Sequence, residues 1–495
     1  MGDGGTMSRF AWPALVVLHA CSGSPEKAST GMPSETDADT DTDTDADTDA
    51  DTDADTDADT DADTADSGDP IDHCTEVVGF GPEFTDTRAI WTTQDDAAPW
   101  PSGGLVATGS SSIRRWEGLA VRYTDHNVIQ RGFGGAQLGE VALAVDDLVL
   151  RHAPAGIIVF AGTNDLAHGV ATDVVAERLR CFVQRTRAGT DPTVPIFFIG
   201  ITPTPARWDG WAAAEAFNAH AADLASTDPH LHYIDVPTAF LATGSPPDAS
   251  LFVADGLHLS DSGYALWDSV LRPVVDAHLA ATAVSATPPT SGTRILVDVG
   301  ASDGTHGEHT PSPDYLGQHW NNWHARSGGA AILPGERLAS LVDDTGTATS
   351  VDLVVTGGFL NNGRAHGGLL WPDADLLGDL AVGSATEDFF YTLPDDATGG
   401  LQLRGLSPTT PVTLRLFASR DDAETRITRY TLVGATTASH TLQTSGSGAG
   451  TGTGNDDTVV VFTDVLPDAY GRLHLDLTIE AGSYGYLNLL ELVIE

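Results

Sequence analysis

The chain has few basic residues and few cysteines for its length of 495 residues. It contains 24 lysines and arginines against 70 aspartates and glutamates, for a formal net charge of -46. Binding to nucleic-acid phosphates needs a basic surface, so this balance argues against a nucleic-acid partner. The excess of acidic residues instead favours solubility outside the cell or in salty surroundings.

Cysteine is rare, with one residue each at Cys21, Cys74 and Cys181. This is not the pattern of a disulfide-rich scaffold, and no Cys-x-x-Cys zinc pair is present. In an exported protein, Cys74 and Cys181 could form a disulfide between the start of the folded region and a helix. Beyond the N-terminus there is no uninterrupted apolar run of about 18 residues, so we predict no membrane-spanning helix.

Residues 1–21 are typical of an export signal. A short basic region at 7–9 precedes an apolar stretch at 10–18 that is too short for a permanent spanning helix. The following sequence, Leu-His-Ala-Cys, resembles a bacterial lipobox, which implies that Cys21 is lipidated and becomes the mature N-terminus. We therefore expect a lipid anchor in the cell envelope, at the outer membrane or cell surface. A plain secretory signal is the alternative.

Residues 22–70 are predicted to be a disordered tether. Within them, residues 35–69 hold 17 of the 70 acidic residues in a Thr-Asp-Ala-Asp repeat. Such a segment cannot bury enough apolar surface to offset the entropy of ordering, and its like charges repel and extend it. Calcium binding is the alternative, but the glycine turn and terminal glutamate of an EF-hand loop are missing.

Residues 71–280 alternate short apolar runs with amphipathic segments. This order predicts an α/β fold, a doubly wound parallel sheet covered by helices on both faces. The predicted strands are 105–108, 128–130, 156–160, 195–200 and 231–235. The predicted helices are 138–152, 173–187, 211–225 and 262–279.

Four loops of this domain carry residues suited to acyl transfer. They are Gly-Ser-Ser-Ser at 109–112, Arg-Gly-Phe-Gly-Gly at 131–135, Ala-Gly-Thr-Asn-Asp at 161–165 and Asp-Gly-Leu-His at 255–258. All four would lie at one edge of the sheet, where doubly wound folds bind their ligands. A serine, an imidazole, a carboxylate and amide donors are the groups that acyl transfer requires.

In this order and spacing, the four motifs resemble the SGNH hydrolase superfamily, also called GDSL esterases and lipases. The longer strings at 109–116, 131–135, 162–166 and 255–258, with Thr-Pro-Ala-Arg-Trp at 204–208, are similar to its branch related to platelet-activating-factor acetylhydrolase subunits. The resemblance covers residues 85–280. It implies a flavodoxin-like fold and a serine hydrolase that needs neither a metal nor an organic cofactor.

The resemblance also implies the roles of individual residues. Ser111 would be the nucleophile, His258 the general base and later acid, and Asp255 the carboxylate that orients the histidine. The oxyanion hole would consist of the backbone amides of Ser111 and Gly135 and the side-chain amide of Asn164.

Several neighbouring residues have competing interpretations. Ser110 replaces the aspartate of the GDSL motif, and Ser112 is a second possible nucleophile that the motif frame places one residue too late. Asp165 is predicted to be structural rather than catalytic. Arg207 and Trp208 either contact substrate or pack at the sheet edge.

Residues 281–293 form a predicted linker, and helical periodicity nearly vanishes after them. The alternating runs of residues 294–495 predict an antiparallel β-sandwich, with strands at 294–299, 351–355, 412–417, 429–433, 459–462, 473–479 and 487–494. This part resembles the galactose-binding-like jelly-roll modules of secreted carbohydrate-active enzymes. Trp320 and Trp323 are either a sugar-binding platform or core residues. The acidic and histidine-rich segment 298–309 is either a metal site or a polar loop.

These observations predict a lipid-anchored serine esterase. Its substrates would be carboxylic esters with short acyl groups, such as acetyl groups on glycans, or other small esters. A lysophospholipase or thioesterase would use the same residues. The rival from another class is a non-catalytic glycan-binding lipoprotein, with carbohydrate bound at 294–495.

Overall fold

The structure, a computed structural model, describes residues 73–74, 82–281, 287–392 and 398–495. The predicted signal peptide with Cys21, the tether at 22–70 and part of the linker at 281–293 lie outside the described residues. Within the described ranges, no helix combines the length and apolarity that crossing a bilayer requires.

Five parallel strands form the sheet of the first domain, in the order β2-β1-β3-β4-β5. The strands are β1 (Leu105–Gly109), β2 (Val128–Gly132), β3 (Gly156–Phe160), β4 (Ile196–Ile199) and β5 (Leu231–Ile234). Every residue of the first four is buried, as expected for a sheet covered on both faces. The order is that of flavodoxin-like folds, so the predicted fold class is confirmed.

Helices cover both faces of this sheet. They are α1 (Pro82–Ala97), α2 (Ser111–Arg114), α3 (Leu119–Arg122), α4 (Leu138–Leu143), α5 (Val145–Leu148), α6 (Thr163–Ala167), α7 (Thr172–Gly189), α8 (Trp211–Thr227), α9 (Val236–Leu241) and α10 (Asp261–His278). Short 3₁₀ helices lie at Leu150–His152, Pro205–Gly210 and Ala249–Leu251. The prediction of one helix over 138–152 was wrong, because the segment is broken at Ala144 and Val149. α1 and α9 were not predicted.

The second domain contains three sheets, one of six strands (β16-β15-β18-β13-β10-β9), one of five (β17-β14-β20-β6-β7) and one of four (β19-β12-β11-β8). All pairs are antiparallel except β6 with β7. A shared apolar core joins side chains of the three sheets, and the predicted β-sandwich class is confirmed.

The strands of this domain are β6 (Arg294–Asp298), β7 (Asn321–Asn322), β8 (Ala331–Ile332), β9 (Arg337–Leu338), β10 (Asp352–Gly357), β11 (Phe359–Asn362), β12 (Phe389–Thr392), β13 (Thr398–Arg404), β14 (Val412–Phe417), β15 (Arg426–Val433), β16 (Thr437–Ser445), β17 (Val460–Val465), β18 (Leu473–Ala481), β19 (Gly485–Leu487) and β20 (Leu489–Ile494). Between them lie α11 (Ala374–Leu377), α12 (Gly383–Thr386) and 3₁₀ helices at Arg364–His366 and Gly378–Leu380.

The predicted strand over 487–494 is in fact two strands in different sheets. Asn488 separates β19 from β20, and it is fully buried. Its side-chain oxygen accepts a hydrogen bond from the Ser419 amide, and its nitrogen donates to the Thr386 carbonyl. These bonds satisfy backbone groups at the point where the chain passes from one sheet to the other.

The outer face of the six-stranded sheet packs against the first domain. Val354 joins the apolar core of the parallel-sheet domain, whereas its neighbours on β10 face the sandwich core. Gln402 and Arg404 donate hydrogen bonds to the carbonyls of Ala120 and Val128, at 3.3 and 3.1 Å. The two domains therefore share one buried contact, and Asp69–Glu495 forms a single compact unit.

A disulfide joins Cys74 to Cys181. It links the turn at residues 73–74 to α7, the connection that the sequence left open. The preceding residue adds two contacts to the same helix, because His73 hydrogen-bonds with both Gln184 and Glu177.

Candidate active site

Ser111 lies at a sharp turn between β1 and α2. Gly109, the last residue of β1, has φ +136°, and a Cβ atom there would approach the Phe160 carbonyl oxygen to 2.0 Å. Only glycine fits this position without a shift of the neighbouring strand. The turn therefore starts a helix at the carboxyl edge of the sheet, with Ser111 as its first residue.

Ser111, His258 and Asp255 form a continuous chain of hydrogen bonds. His258 Nε2 lies 2.9 Å from Ser111 Oγ, and His258 Nδ1 lies 2.6 Å from Asp255 Oδ2. When the imidazole proton is on Nδ1 and is donated to the carboxylate, Nε2 is the acceptor for the serine hydroxyl. This is the geometry in which a histidine can remove the proton of a nucleophilic serine.

The loop after β5 and α9 holds the carboxylate in its ionised form. Burial raises the pKa of Asp255, but hydrogen bonds from the His258 side chain and from the amides of His258 and Leu257 outweigh burial and lower the pKa to about 2. Arg115 adds a cation, with Nη1 3.8 Å from Asp255 Oδ2. A permanently charged carboxylate can stabilise the imidazolium that forms when serine loses its proton.

The predicted oxyanion donors lie on three different loops. Ser111 begins α2, and the amides of a first helical turn have no acceptor within their own helix. Gly135 has φ +76°, a conformation that favours glycine. Asn164 is only 6% exposed, and its Nδ2 donates to the Ala136 carbonyl at 2.9 Å. A side-chain amide has two N–H bonds, so one remains for a ligand.

Arg207 hydrogen-bonds to Asn164, a contact that the sequence did not indicate. Its Nη2 donates to Asn164 Oδ1 at 2.9 Å, and its Nη1 donates to Thr163 Oγ1 at 2.8 Å. Burial lowers the pKa of the guanidinium. With the side-chain oxygen of Asn164 bonded to Arg207 and one N–H bonded to Ala136, the amide plane has a fixed orientation.

Ser112 and Asp165, which follow Ser111 and Asn164 in the sequence, hydrogen-bond to residues elsewhere in the first domain. The Ser112 carbonyl accepts a hydrogen bond from the buried Tyr264 hydroxyl at 2.8 Å. Asp165 is fully buried, with Oδ2 accepting from the Leu138 amide and Oδ1 from Arg178. The Ser110 side chain is also buried. Asp165 thus joins α6 to α4 and α7.

A cleft lies beside Arg207 within the first domain. Its walls include Thr163, Leu166, Ile201 and Trp211. An ester bound at Ser111 could place one of its two halves here, beside the oxyanion donors.

The two tryptophans proposed as a sugar platform lie in the core. Trp320 is 3% exposed and Trp323 is 2% exposed, so neither presents a ring to solvent. The indole N–H of Trp320 donates to Asp314 Oδ2 at 2.9 Å. The core interpretation is therefore correct, and the aromatic side chains of this domain that face water include Trp371, 87% exposed, and Tyr315, 72% exposed.

The segment 298–309 does not gather a metal-ligand set among the described residues. Asp303 pairs with His306 at 2.7 Å, and Asp298 accepts from the Thr310 amide. The one group of three possible ligands in the described ranges is Asp125, His126 and Asp276. Arg272 donates to both of these aspartates, so their charge already has a cationic partner.

Several solved structures are similar to part of this chain. Among solved structures, the chain is similar to a GDSL-like lipase from Bacteroides thetaiotaomicron, with 17% identity, a TM-score of 0.36, and coverage of 40% of this chain and 100% of that chain. It is also similar to a lipase/acylhydrolase from Enterococcus faecalis (18%, TM-score 0.32, coverage 36% and 98%). An acetyl xylan esterase from Geobacillus stearothermophilus is similar at 14% identity (TM-score 0.31, coverage 37% and 99%).

No curated protein matches the chain in sequence. Its own residues 97–266 match the sequence profile of the GDSL-like Lipase/Acylhydrolase family. This range contains β1 to β5, Ser111, Asp255 and His258. The chain is therefore similar to the GDSL-like Lipase/Acylhydrolase family over residues 97–266.

Proposed function

We propose that the protein is a serine esterase that hydrolyses carboxylic esters through Ser111, His258 and Asp255. The observation that carries this proposal is the unbroken hydrogen-bond chain from Ser111 Oγ through His258 to Asp255, at 2.9 and 2.6 Å. These are the distances that proton transfer within a triad requires.

In the proposed mechanism, His258 Nε2 takes the hydroxyl proton while Ser111 Oγ attacks the ester carbonyl carbon. The amides of Ser111, Gly135 and Asn164 stabilise the tetrahedral oxyanion. The carbon–oxygen bond to the leaving alcohol then breaks, and His258 returns the proton to that alcohol. Water, deprotonated by His258, hydrolyses the acyl-enzyme and regenerates Ser111.

The proposed substrates are esters of short acyl groups, with acetylated glycans and small esters as the classes to test first. A lysophospholipase or thioesterase would use the same groups and differ in its acyl chain or leaving group. Hydrolysis of 4-nitrophenyl acetate, butyrate and octanoate separates these classes by chain length.

The same assay tests the nucleophile. We expect Ser111→Ala to lose at least about 10³-fold in kcat, because no other group replaces the attacking oxygen. Ser112→Ala is the matched control, one residue away in the same short helix, and should retain activity. Loss of activity in Ser112→Ala alone would contradict the proposed motif frame. An inert wild-type protein would favour the glycan-binding alternative.

We also propose that the protein is exported and anchored through Cys21. The disulfide between Cys74 and Cys181 supports export, because such bonds persist in oxidising compartments. Mass spectrometry of the membrane fraction should find a diacylglyceryl-modified Cys21 at the mature N-terminus. Cys21→Ser should move the protein to the soluble fraction. An unmodified Cys21 in membrane-free protein would contradict the anchor.

A further inference from the structure

The second domain reaches the strand that leads into the oxyanion loop. The Gly335 carbonyl accepts a hydrogen bond from Arg131 Nη1 at 3.0 Å. A Cβ atom at Gly335 would lie 2.1 Å from the carbonyl oxygen of Gln130 on β2. The backbones of the two domains are thus in direct contact, two residues before the loop that contains Gly134 and Gly135.

Glu336 fixes the segment that precedes this contact. Its side chain is fully buried, and Oε1 accepts from the Leu333 amide at 2.9 Å. Oε2 accepts from Gln94 of the first domain at 2.9 Å and from Arg326 of the second at 2.8 Å. Residues 330–334 are therefore held by bonds to both domains.

A cleft lies between this segment and the residues that follow Ser111. Arg114, Arg115 and Glu117 line it from the first domain. Leu333, Leu360 and Tyr391, each partly exposed, line it from the second. Because Arg115 lies 3.8 Å from Asp255, this cleft adjoins the carboxylate and imidazole side of the triad.

A second cleft lies beside the oxyanion loop at residues 132–134. It shares Arg114, Ala331 and Leu333 with the first cleft. The segment 330–334 therefore borders both clefts.

We propose that the first cleft binds the leaving alcohol of the ester, and that this alcohol is a carbohydrate. The inference rests on the proposed function, in which His258 must protonate the leaving oxygen, so the alcohol lies on the side of His258 and Asp255. Leu333, Leu360 and Tyr391 offer an apolar and aromatic surface for the C–H face of a sugar ring. The flanking arginines and Glu117 offer polar groups for its hydroxyls.

The test compares two acetyl esters that differ in the leaving alcohol, glucose pentaacetate and 4-nitrophenyl acetate, using the chain with both domains. We expect Tyr391→Ala and Leu333→Arg each to lower the ratio of kcat/KM for the sugar ester to that for the nitrophenyl ester by about tenfold or more. The change should be mainly in KM for the sugar ester. Trp371→Ala, an exposed aromatic in the same domain outside the cleft, is the control and should retain the wild-type ratio.

Ratios within about twofold of wild type in both variants would overturn the assignment of the cleft. A wild-type protein that cleaves 4-nitrophenyl acetate but not glucose pentaacetate would also overturn it and leave the esterase proposal standing. Cleavage of neither ester would instead contradict the proposed function. Thermal melts identify a variant that has unfolded. The segment that contains Leu333 is held by hydrogen bonds of its backbone, which a change of side chain does not remove. Leu333→Arg therefore provides the result if Tyr391→Ala does not fold.

Discussion

Arg207 positions the proposed oxyanion donor Asn164. We expect Arg207→Met to lower kcat for 4-nitrophenyl acetate by about tenfold, less than the 10²–10³ typical of removing a donor outright. The physical reason is that Asn164 Oδ1 loses its guanidinium partner, so the amide can rotate away from the oxyanion. KM should change little, because the lost interaction forms only in the transition state.

A double-mutant cycle distinguishes this effect from general destabilisation. In Asn164→Ala the amide is already absent, so adding Arg207→Met should cost little more. If the fold losses in kcat of the two single variants multiply fully in the double variant, a positioning role for Arg207 is contradicted. So would an increase in KM with kcat unchanged.

The triad could be predicted from the sequence because each member lies in a short motif of characteristic order. The positions of their loops predict that Ser111, Asp255 and His258 lie at one edge of the sheet, and the resemblance of their motifs to a known family implies their roles. The contact between Arg207 and Asn164 joins residues 43 positions apart. No spacing or periodicity records such a contact, so Arg207 could be noted as unusual but not given a role.

At the scale of elements, β6 and β12 bring two carboxyl groups into the core of the second domain. Asp298 ends β6, and Asp388 directly precedes β12. Burial raises the pKa of both groups, that of Asp298 to about 7. The Asp298 carboxylate raises the pKa of Asp388 further, whereas a hydrogen bond from Asp388 lowers that of Asp298 without outweighing burial. These groups are therefore more stable in the folded protein when they are protonated.

Because of this pair, we expect the free energy of unfolding to decrease as the pH rises. The pKa of Asp298 in the folded protein lies above the unfolded value of about 3.9. Its contribution to the free energy of unfolding is therefore complete below about pH 4 and is lost as the pH rises to about 7. Melting temperatures of the wild type should drop between about pH 4 and pH 7, and those of Asp298→Asn should drop less. An equal drop in both proteins would contradict the raised pKa of Asp298.

The positions of strands and helices could be predicted where one stretch of regular hydrophobic spacing coincided with one helix or strand. The segment 138–152 did not satisfy this condition. Leu138, Val141, Val145 and Leu148 are all buried against the sheet, so the helical period continues across the breaks in the backbone. Likewise, the segment 487–494 stays largely apolar while the chain changes sheets at Asn488. The hydrophobic spacing of a segment shows which of its sides is buried. It does not show where the backbone hydrogen bonding of a helix or strand ends.

At the scale of the whole molecule, the contact between the domains is polar as well as buried. Three guanidinium groups surround the Trp100 ring, with Arg337 at 4.2 Å, Arg404 at 5.3 Å and Arg131 at 5.8 Å from its centroid. Arg131 pairs with Asp95. Such groups would be exposed if the domains separated, so we expect residues 71–495 to unfold in one cooperative transition by calorimetry.

Arg472 offers a specific test of that contact. Its guanidinium donates to the His126 carbonyl and to Asn127 Oδ1 across the domain boundary. Arg472→Ala removes both hydrogen bonds and a buried side chain from the boundary, and it should lower the free energy of unfolding by about 1–3 kcal/mol, measured by urea denaturation. Arg429→Ala, on the exposed part of β15, is the control. Two separate transitions in the wild type, with only one shifted in Arg472→Ala, would contradict a shared folding unit.

The docking of the domains could not be predicted from alternation along the strands. Leu401 and Leu403 of β13 face the sandwich core, while Gln402 and Arg404 alternate with them. Polar residues at alternate positions ordinarily face water. Here they bond to backbone carbonyls of the first domain instead, and a sequence pattern does not distinguish these two environments.

The most direct measurement of the central claim is to locate the nucleophile chemically. The protein is treated with a fluorophosphonate, which reacts with an activated serine hydroxyl, and the adduct is mapped by peptide mass spectrometry. We predict one adduct per chain, on Ser111, absent in Ser111→Ala and strongly slowed in His258→Ala but unaffected in Ser112→Ala. An adduct on Ser112, or no adduct in the folded wild-type protein, would contradict the account.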